Sequence, residues 1–503
     1  MLTSKLKHWG ILLLITVFAL LTASCTKHDY ASVIPKDATV VTALQLNQLA
    51  QDARLSESMA ITRMKSLSQL VASGKTQEEV NAILDDPTLL GLDFESPAYL
   101  FMCADQSIGL SIRVDDDDRL DDVIHALAKQ QLATKPVVRD DFAWTTLFVG
   151  IEMAYDDHTA LLMLPTRNDV PSTVLKQRMA QYLTQGNEYQ FAETDNMKWL
   201  DTDDKHPVKI YAHSSALPAT LLSWVKTLLP TGVRANQVEM KAAIASEGNK
   251  LTLEASLFSS DKETQQKLNA ADRDLKTLNG TFLTAAPDDF FLWGGIGCKG
   301  KKIVQLLKAN KQTHDFLFLL ERGIDIERML SSVDGDLSVI LPLLPNNDSW
   351  NRPEFILLGE LGDKKFLNDV HEWQSTAGSY GITLKNENRA KNNYVMKADG
   401  YSLHWGVEED NLYMASDAAF RMRAFATNSH FMDSLKEDVK KSKWFLCINL
   451  SSIDKHTPAW SVFTPAITSV TLSGRKATEI RCTITGREKQ QSVLSQLLSH
   501  LVP

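Results

Sequence analysis

The 503-residue sequence lacks most of the patterns that would announce a reaction. It has five cysteines, at 25, 103, 298, 447 and 482, and no C-x-x-C among them. That excludes the common zinc-ribbon and dithiol redox motifs. It has no G-x-S-x-G elbow. His371-Glu372 is not followed by a second histidine at the zinc-protease spacing, because Ser375 stands there. Ser259-x-x-Lys262 and Ser452-x-x-Lys455 occur without the partner motifs that give such a pair meaning. Basic residues are outnumbered, with 53 Lys and Arg against 62 Asp and Glu, and no basic stripe or tail appears. Nucleic acid is therefore not an expected partner. Beyond the N-terminus there is no apolar run of the 18 or so residues that a membrane-spanning helix needs. No cofactor is expected, and an enzyme is not.

What is present begins at the N-terminus. Lys5 and Lys7 precede the run Ile11 to Leu21, which is apolar apart from Thr16. That run is too short to span a bilayer and suits a secretory signal. Thr22-Ala23-Ser24-Cys25 follows, the small-residue pattern of a bacterial lipobox, with Thr22 where leucine is usual. The pattern predicts cleavage before Cys25 and lipidation of its thiol. Residues 1–24 are then the signal and 25–34 a tether. The expected location is the cell envelope, anchored by lipid to the outer membrane. Thr26-Lys27-His28-Asp29 is no acid-rich export tag, which favours the periplasmic face over the cell surface.

The rest of the chain reads as two related halves, 35–280 and 281–503. The opening strand 34-IPKDATVVTALQL-46 parallels 286-APDDFFLWGGIGC-298. Gly91-Leu92-Asp93 matches Gly323-Ile324-Asp325, and Leu120, Asp122 and Val123 fall on Leu367, Asp369 and Val370. Gly150 falls on Gly406 in the following hairpin. Each half closes with alternating strands and an amphipathic helix, at 251–271 and 478–498. The expected fold is α+β, each half an antiparallel or mixed sheet covered by helices. Cys447 and Cys482 lie in apolar strand-like runs. They are expected to be buried free thiols, with a disulfide between them as the alternative.

The opening I-P-x-D-A-x-V-V, the block 91-GLDFESPAYLF-101 and the lipobox together resemble a family of uncharacterised Bacteroidota lipoproteins, classified as a domain of unknown function. The resemblance implies envelope localisation and an α+β fold, and it brings no catalytic residues.

Three features remain as candidate contacts. In 288-DDFFLWGGIGCKGKKIVQLL-307, Gly295, Gly300 and Lys301 fit a phosphate loop, but Lys302 stands where a hydroxyl should bind magnesium. A nucleotide site is not expected there. Lys299, Lys301 and Lys302 keep a weaker candidacy as an anion contact at a helix start. Asp115 to Asp118 reads as acids at a helix N-terminus rather than a calcium loop. Trp350, in the polar loop 345-PNNDSWNRP-353, is the candidate exposed aromatic. The expected function is a lipid-anchored scaffold or protein-binding module. A glycan or small-ligand binder with a site between the halves is the alternative, and an enzyme with an unrecognised site the third.

Overall fold

The computed structural model describes residues 30–501, apart from 55–64, 66–74, 104, 106, 148–149, 165–170, 203–204, 217–228, 230–231, 310–322, 343–353, 389–391, 399–400, 417–429 and 454–464. The chain forms two compact units, the first from 1–50 and 61–211, the second from 51–60 and 212–503. Mixed helices and a large, open antiparallel sheet make the architecture α+β.

The first unit contains β1 (Val40–Leu44), β2 (Ala98–Met102), β3 (Ile108–Arg113), β4 (Val137–Arg139), β5 (Phe142–Leu147), β6 (Ile151–Tyr155) and β7 (Thr159–Leu164), and β8 (Val208–His213) begins at its end. The pairings run β8–β1–β2–β3–β7–β6–β5–β4. Those between β1 and β7 are antiparallel throughout. Side chains alternate between the two faces of a strand. On one face Val41, Tyr99, Phe101, Leu161 and Met163 are buried together with Leu175 and Met179 of helix α1. That helix is Ser172–Leu183. The helix Asp117–Lys129 covers one end of the opposite face, where Leu120 and Ile124 pack on Val114, Met153, Tyr155 and Ala160. Asp116 caps that helix by accepting the Arg119 N–H, and Asp117 and Asp118 occupy its first turn. Carboxylates there are favoured by the exposed amides and the helix dipole.

The second unit contains β9 (Glu239–Glu247), β10 (Lys250–Phe258), β11 (Leu275–Lys276), β12 (Leu292–Lys299), β13 (Val333–Leu341), β14 (Ile356–Leu361), β15 (Thr383–Asn388), β16 (Asn393–Ala398), β17 (Tyr401–Glu408), β18 (Asn411–Ala415), β19 (Trp444–Asn449), β20 (Ile467–Gly474) and β21 (Glu479–Gly486). The antiparallel pairings run β9–β10–β21–β20–β19–β12–β13–β14–β18–β17–β16–β15. The short β11 adds to β12. Trp293, Ile340, Leu358, Tyr413, Phe445 and Cys447 form one face, covered by the segment 278–286 with Met432 and Val439. The other face is covered at its two ends. At one, α2 (Gly300–Ala309), α3 (Ile326–Ser331) and α4 (Val370–Ser379) pack over Val333, Trp405 and Met414. At the other, Leu450, Ile453 and the partly buried Leu497 of helix α5 (Val493–Leu501) pack over Leu292, Ile448, Val470 and Ile484.

The glycines of 292–300 are set by this packing. A Cβ on Gly300 would land on the Leu330 carbonyl oxygen, and one on Gly297 on the Lys276 carbonyl oxygen. Backbone atoms cannot yield as a flexible side chain does. Gly378, inside α4, has nothing within 4 Å of its Cβ position. Gly300→Ala is therefore expected to cost about 3 kcal/mol in urea unfolding. Gly378→Ala should be neutral or stabilising by about 0.5–1 kcal/mol, through helix propensity alone.

Candidate functional site

The bend at 299–302 carries the three candidate lysines, Lys299, Lys301 and Lys302. Strand β12 ends at Lys299 and helix α2 starts at Gly300, with no residue between them. A phosphate loop needs intervening residues whose amides converge on the anion. Here the backbone has no such turn, and Gly300 is packed against a carbonyl. Lys299, Lys301 and Lys302 are exposed around the bend. Lys299 stands opposite Asp334 in the ladder, and Asp334 itself pairs with Lys276 at 2.7 Å. So acid and base alternate along this edge. Cys25 and Trp350 lie outside the described residues.

A cavity of about 500 Å³ opens between α3 and α4, lined in part by Asp325, Arg328, Asp369, Glu372, Trp373 and Thr376. Asp325 is spent as the cap of α3, accepting the Arg328 N–H at 2.8 Å. Arg328 Nη1 meets Asp369 Oδ2 at 2.7 Å, and Glu327 pairs with Lys308. Trp373 is buried below, stacked on Phe366 and tilted against Trp405. Glu372 and Thr376 are exposed on α4. The result is a polar recess with an aromatic base and an acidic excess.

Buried carboxylates are held elsewhere. In the first unit Glu152 is fully buried on β6. It accepts from Thr146 Oγ1 at 2.8 Å and Ser172 Oγ at 2.5 Å, and Lys176 Nζ lies 3.3 Å away. In the second unit Asp336 is 1% exposed and accepts the N–H groups of Asn279, Gly280 and Thr281. Glu360 stands beside it, accepting the Asp336 N–H at 2.7 Å and the Thr281 hydroxyl at 2.5 Å. These two acids fasten the segment that leads into β12. Burial raises the Asp336 pKa, and Glu360 adds to the rise, while the three amides oppose it.

The serines and thiols are occupied structurally. Ser259 Oγ donates to the Gln237 carbonyl at 2.6 Å and Ser452 Oγ to that of Asn449 at 2.8 Å. Cys103, Cys298, Cys447 and Cys482 are free thiols. Burial pushes Cys298 and Cys447 up to about 12, far from the thiolate range. The register also answers the disulfide question. Cys447 faces Thr471, which faces Thr483, whereas Cys482 faces Leu472. The two cysteines are two strands apart on opposite faces, so their sulfurs cannot bond.

Neither cavity nor buried acids carry a sequence signature. Asp336 and Glu360 are distant in sequence from the amides and from one another. Arg328, Asp369 and Trp373 are brought together by two helices. Of the lining residues, Gly323, Ile324, Asp325 and Asp369 carry a signal in the sequence, as repeat matches.

The fold and these sites define an α+β protein with a large open antiparallel sheet and a polar recess. A family model described as Domain of unknown function (DUF4836) matches residues 30–457, and the chain belongs to that family. No curated protein matches it. Among solved structures, crystal form I of TP0453 aligns with 10% identity over 48% of this chain and 86% of that one, with a TM-score of 0.29. A likeness at that score carries no argument about fold or function.

The raised pKa of Asp336 has a sign. A carboxyl whose folded pKa exceeds its unfolded value stabilises fully below the unfolded value and loses that contribution as pH rises through the folded one. Wild type should therefore exceed Asp336→Asn in stability most at acid pH. In urea melts across pH, the gap should narrow as neutrality is approached. A gap that widens toward neutrality would mean that the three amides outweigh burial.

Proposed function

We propose that this chain is a lipid-anchored cell-envelope protein of scaffold or protein-binding type, non-enzymatic, built from a duplicated α+β half. The duplication is supported by strand order. The series β1–β2–β3–β7–β6–β5–β4 pairs in the same sequence as β12–β13–β14–β18–β17–β16–β15. The row Thr42–Leu100–Leu110–Leu162 in one corresponds to Gly294–Val339–Leu357–Met414 in the other. Compactness divides the chain at 211/212 and repetition at 280. The first measures contact and the second ancestry, so the two boundaries need not coincide.

The observation that carries the binding reading lies on the same faces as these rows. In the first unit Leu100 is 39% and Leu164 37% exposed, with Met102, Ile108 and Leu110 half-buried around them. In the second, Val339 is 36% exposed. From it the row continues through Gly294, Leu446, Leu472, Cys482, Leu253 and Ile244, one residue per strand. An antiparallel sheet usually turns polar residues outward on an open face. Apolar residues at matched positions in both halves favour a partner surface.

The tether favours a protein rather than the anchoring bilayer as the occupant. Tyr30 stacks on Tyr99, and its carbonyl accepts from Ser111 Oγ at 2.5 Å. Tyr99 and Ser111 lie on the face opposite Leu100 and Leu110. Only residues 26–29 separate Tyr30 from Cys25, a reach of roughly 17 Å. The lipid would leave from the face of Tyr99 and Ser111 and turn Leu100 and Leu110 away from the membrane. Ligand binding is the second reading, supported by the recess between α3 and α4.

Cys25→Ala should abolish acyl labelling and move the protein to the soluble fraction, and unchanged labelling would remove the anchor. A photo-reactive side chain at Leu100 or Val339, activated in intact envelopes, should give adducts with a second protein. Crosslinks confined to the chain itself would make the band internal packing and end the protein-binding reading.

A further inference from the structure

Strands β10 and β21 pair antiparallel over seven positions, from Lys250 opposite Thr485 to Ser256 opposite Glu479. They belong to the equivalent final hairpins of the two proposed halves. On one face of this seam Leu251, Leu253 and Ala255 meet Ile484, Cys482 and Ile480. A slip of one residue would turn these apolar groups to the other face and take Ile484 off the cluster around Leu450. A slip of two keeps every apolar residue on its face, so the hydrophobic pattern alone leaves the register ambiguous. The other face carries Thr252 and Ser256 against Thr483 and Glu479, and at its centre Glu254 stands directly opposite Arg481. Arg481 Nη1 lies 3.4 Å from Glu254 Oε1. At one end Asn249 and Gly486 exchange two hydrogen bonds, at 2.7 and 2.8 Å.

We infer that the Glu254–Arg481 pair selects both the register and the partner strand of this seam. Sliding β21 by two in one direction sets Glu254 against Glu479, a like-charge pair. Sliding it the other way sets Glu254 against Thr483 and loses the attraction. Partner choice follows from the duplication proposed above. With 251–258 equivalent to 478–485, the pseudo-two-fold axis of the seam passes through Glu254 and Arg481 themselves. A residue on such an axis faces its own equivalent. Two molecules meeting β10 to β10 would then oppose Glu254 to Glu254, and β21 to β21 would oppose Arg481 to Arg481. The split of charge between the halves makes β10–β21 the one complementary combination. Edge strands are prone to unwanted pairing, and charge is a common guard. Both side chains are about half exposed, so the discrimination is modest, about fivefold.

The native thiol of Cys482 supplies the test. In the full chain, Leu253→Cys faces Cys482 and should form an intramolecular disulfide under mild oxidation. Ala255→Cys should react about fivefold more slowly. Adding Arg481→Glu opposes Glu254 to a glutamate and favours the slip that brings residue 255 opposite 482. The preference should then move toward Ala255→Cys, with disulfide-linked dimers rising. Arg481→Glu combined with Glu254→Arg restores an opposite-charge pair and should restore the original preference. If charge reversal leaves the ratio of the two crosslinks and the dimer yield unchanged, the pair selects nothing. If Leu253→Cys fails to crosslink with the charges native, the seam itself is wrong, and the two-fold arrangement of the duplication falls with it.

Discussion

The antiparallel ladder is the constraint from which the rest of each unit follows. Every strand sends alternate side chains to opposite faces, so a wide open sheet creates two surfaces that must both be resolved. In the second unit one face is closed around Trp293, Tyr413 and Phe445. The other is closed at its two ends, by α2, α3 and α4 and by α5 with its neighbours. Between those ends lie Val339, Leu446, Leu472 and Leu253, apolar and incompletely covered. The proposed function grows out of that incomplete closure.

Polar groups buried within this frame fix the course of the chain. Glu152 holds a strand to the start of a helix through Thr146, Ser172 and Lys176. Asp336 and Glu360 gather three successive amides of the segment before β12. A buried carboxylate without such donors would cost several kcal/mol. With them it determines where a connection must run. The recess beside Trp373 differs, since its exposed acid on α4, Glu372, is not built into a connection of this kind.

Much of the fold was legible because its signals are local. Alternation marked the strands, and the acids Asp115 to Asp118 announced a helix start. The glycines of 292–300 looked like a phosphate loop because sequence shows residue type and not neighbours. At Gly300 and Gly297 the cause is the approach of the Leu330 and Lys276 carbonyls from distant segments, and at Gly295 it is the indole of Trp293. The match of Gly150 to Gly406 drifted for a related reason. Gly150 sits in a turn with φ of 78°, whereas Gly406 lies within β17. Unequal strand lengths hide such an offset until the ladder is drawn. The relation of Cys447 to Cys482 was equally invisible, since both runs are apolar and only the pairing assigns their faces.

The central claim is that the matched apolar band is a contact surface for another protein. It is tested most directly by purifying wild type and a Leu100→Asp/Val339→Asp variant from envelopes and weighing each by native mass spectrometry. Wild type should be recovered as a stoichiometric protein complex. The variant should lose it while keeping the same thermal midpoint, because both residues are already partly in water. A variant that retains the complex, or that unfolds at a much lower temperature, would show the band to be core rather than interface.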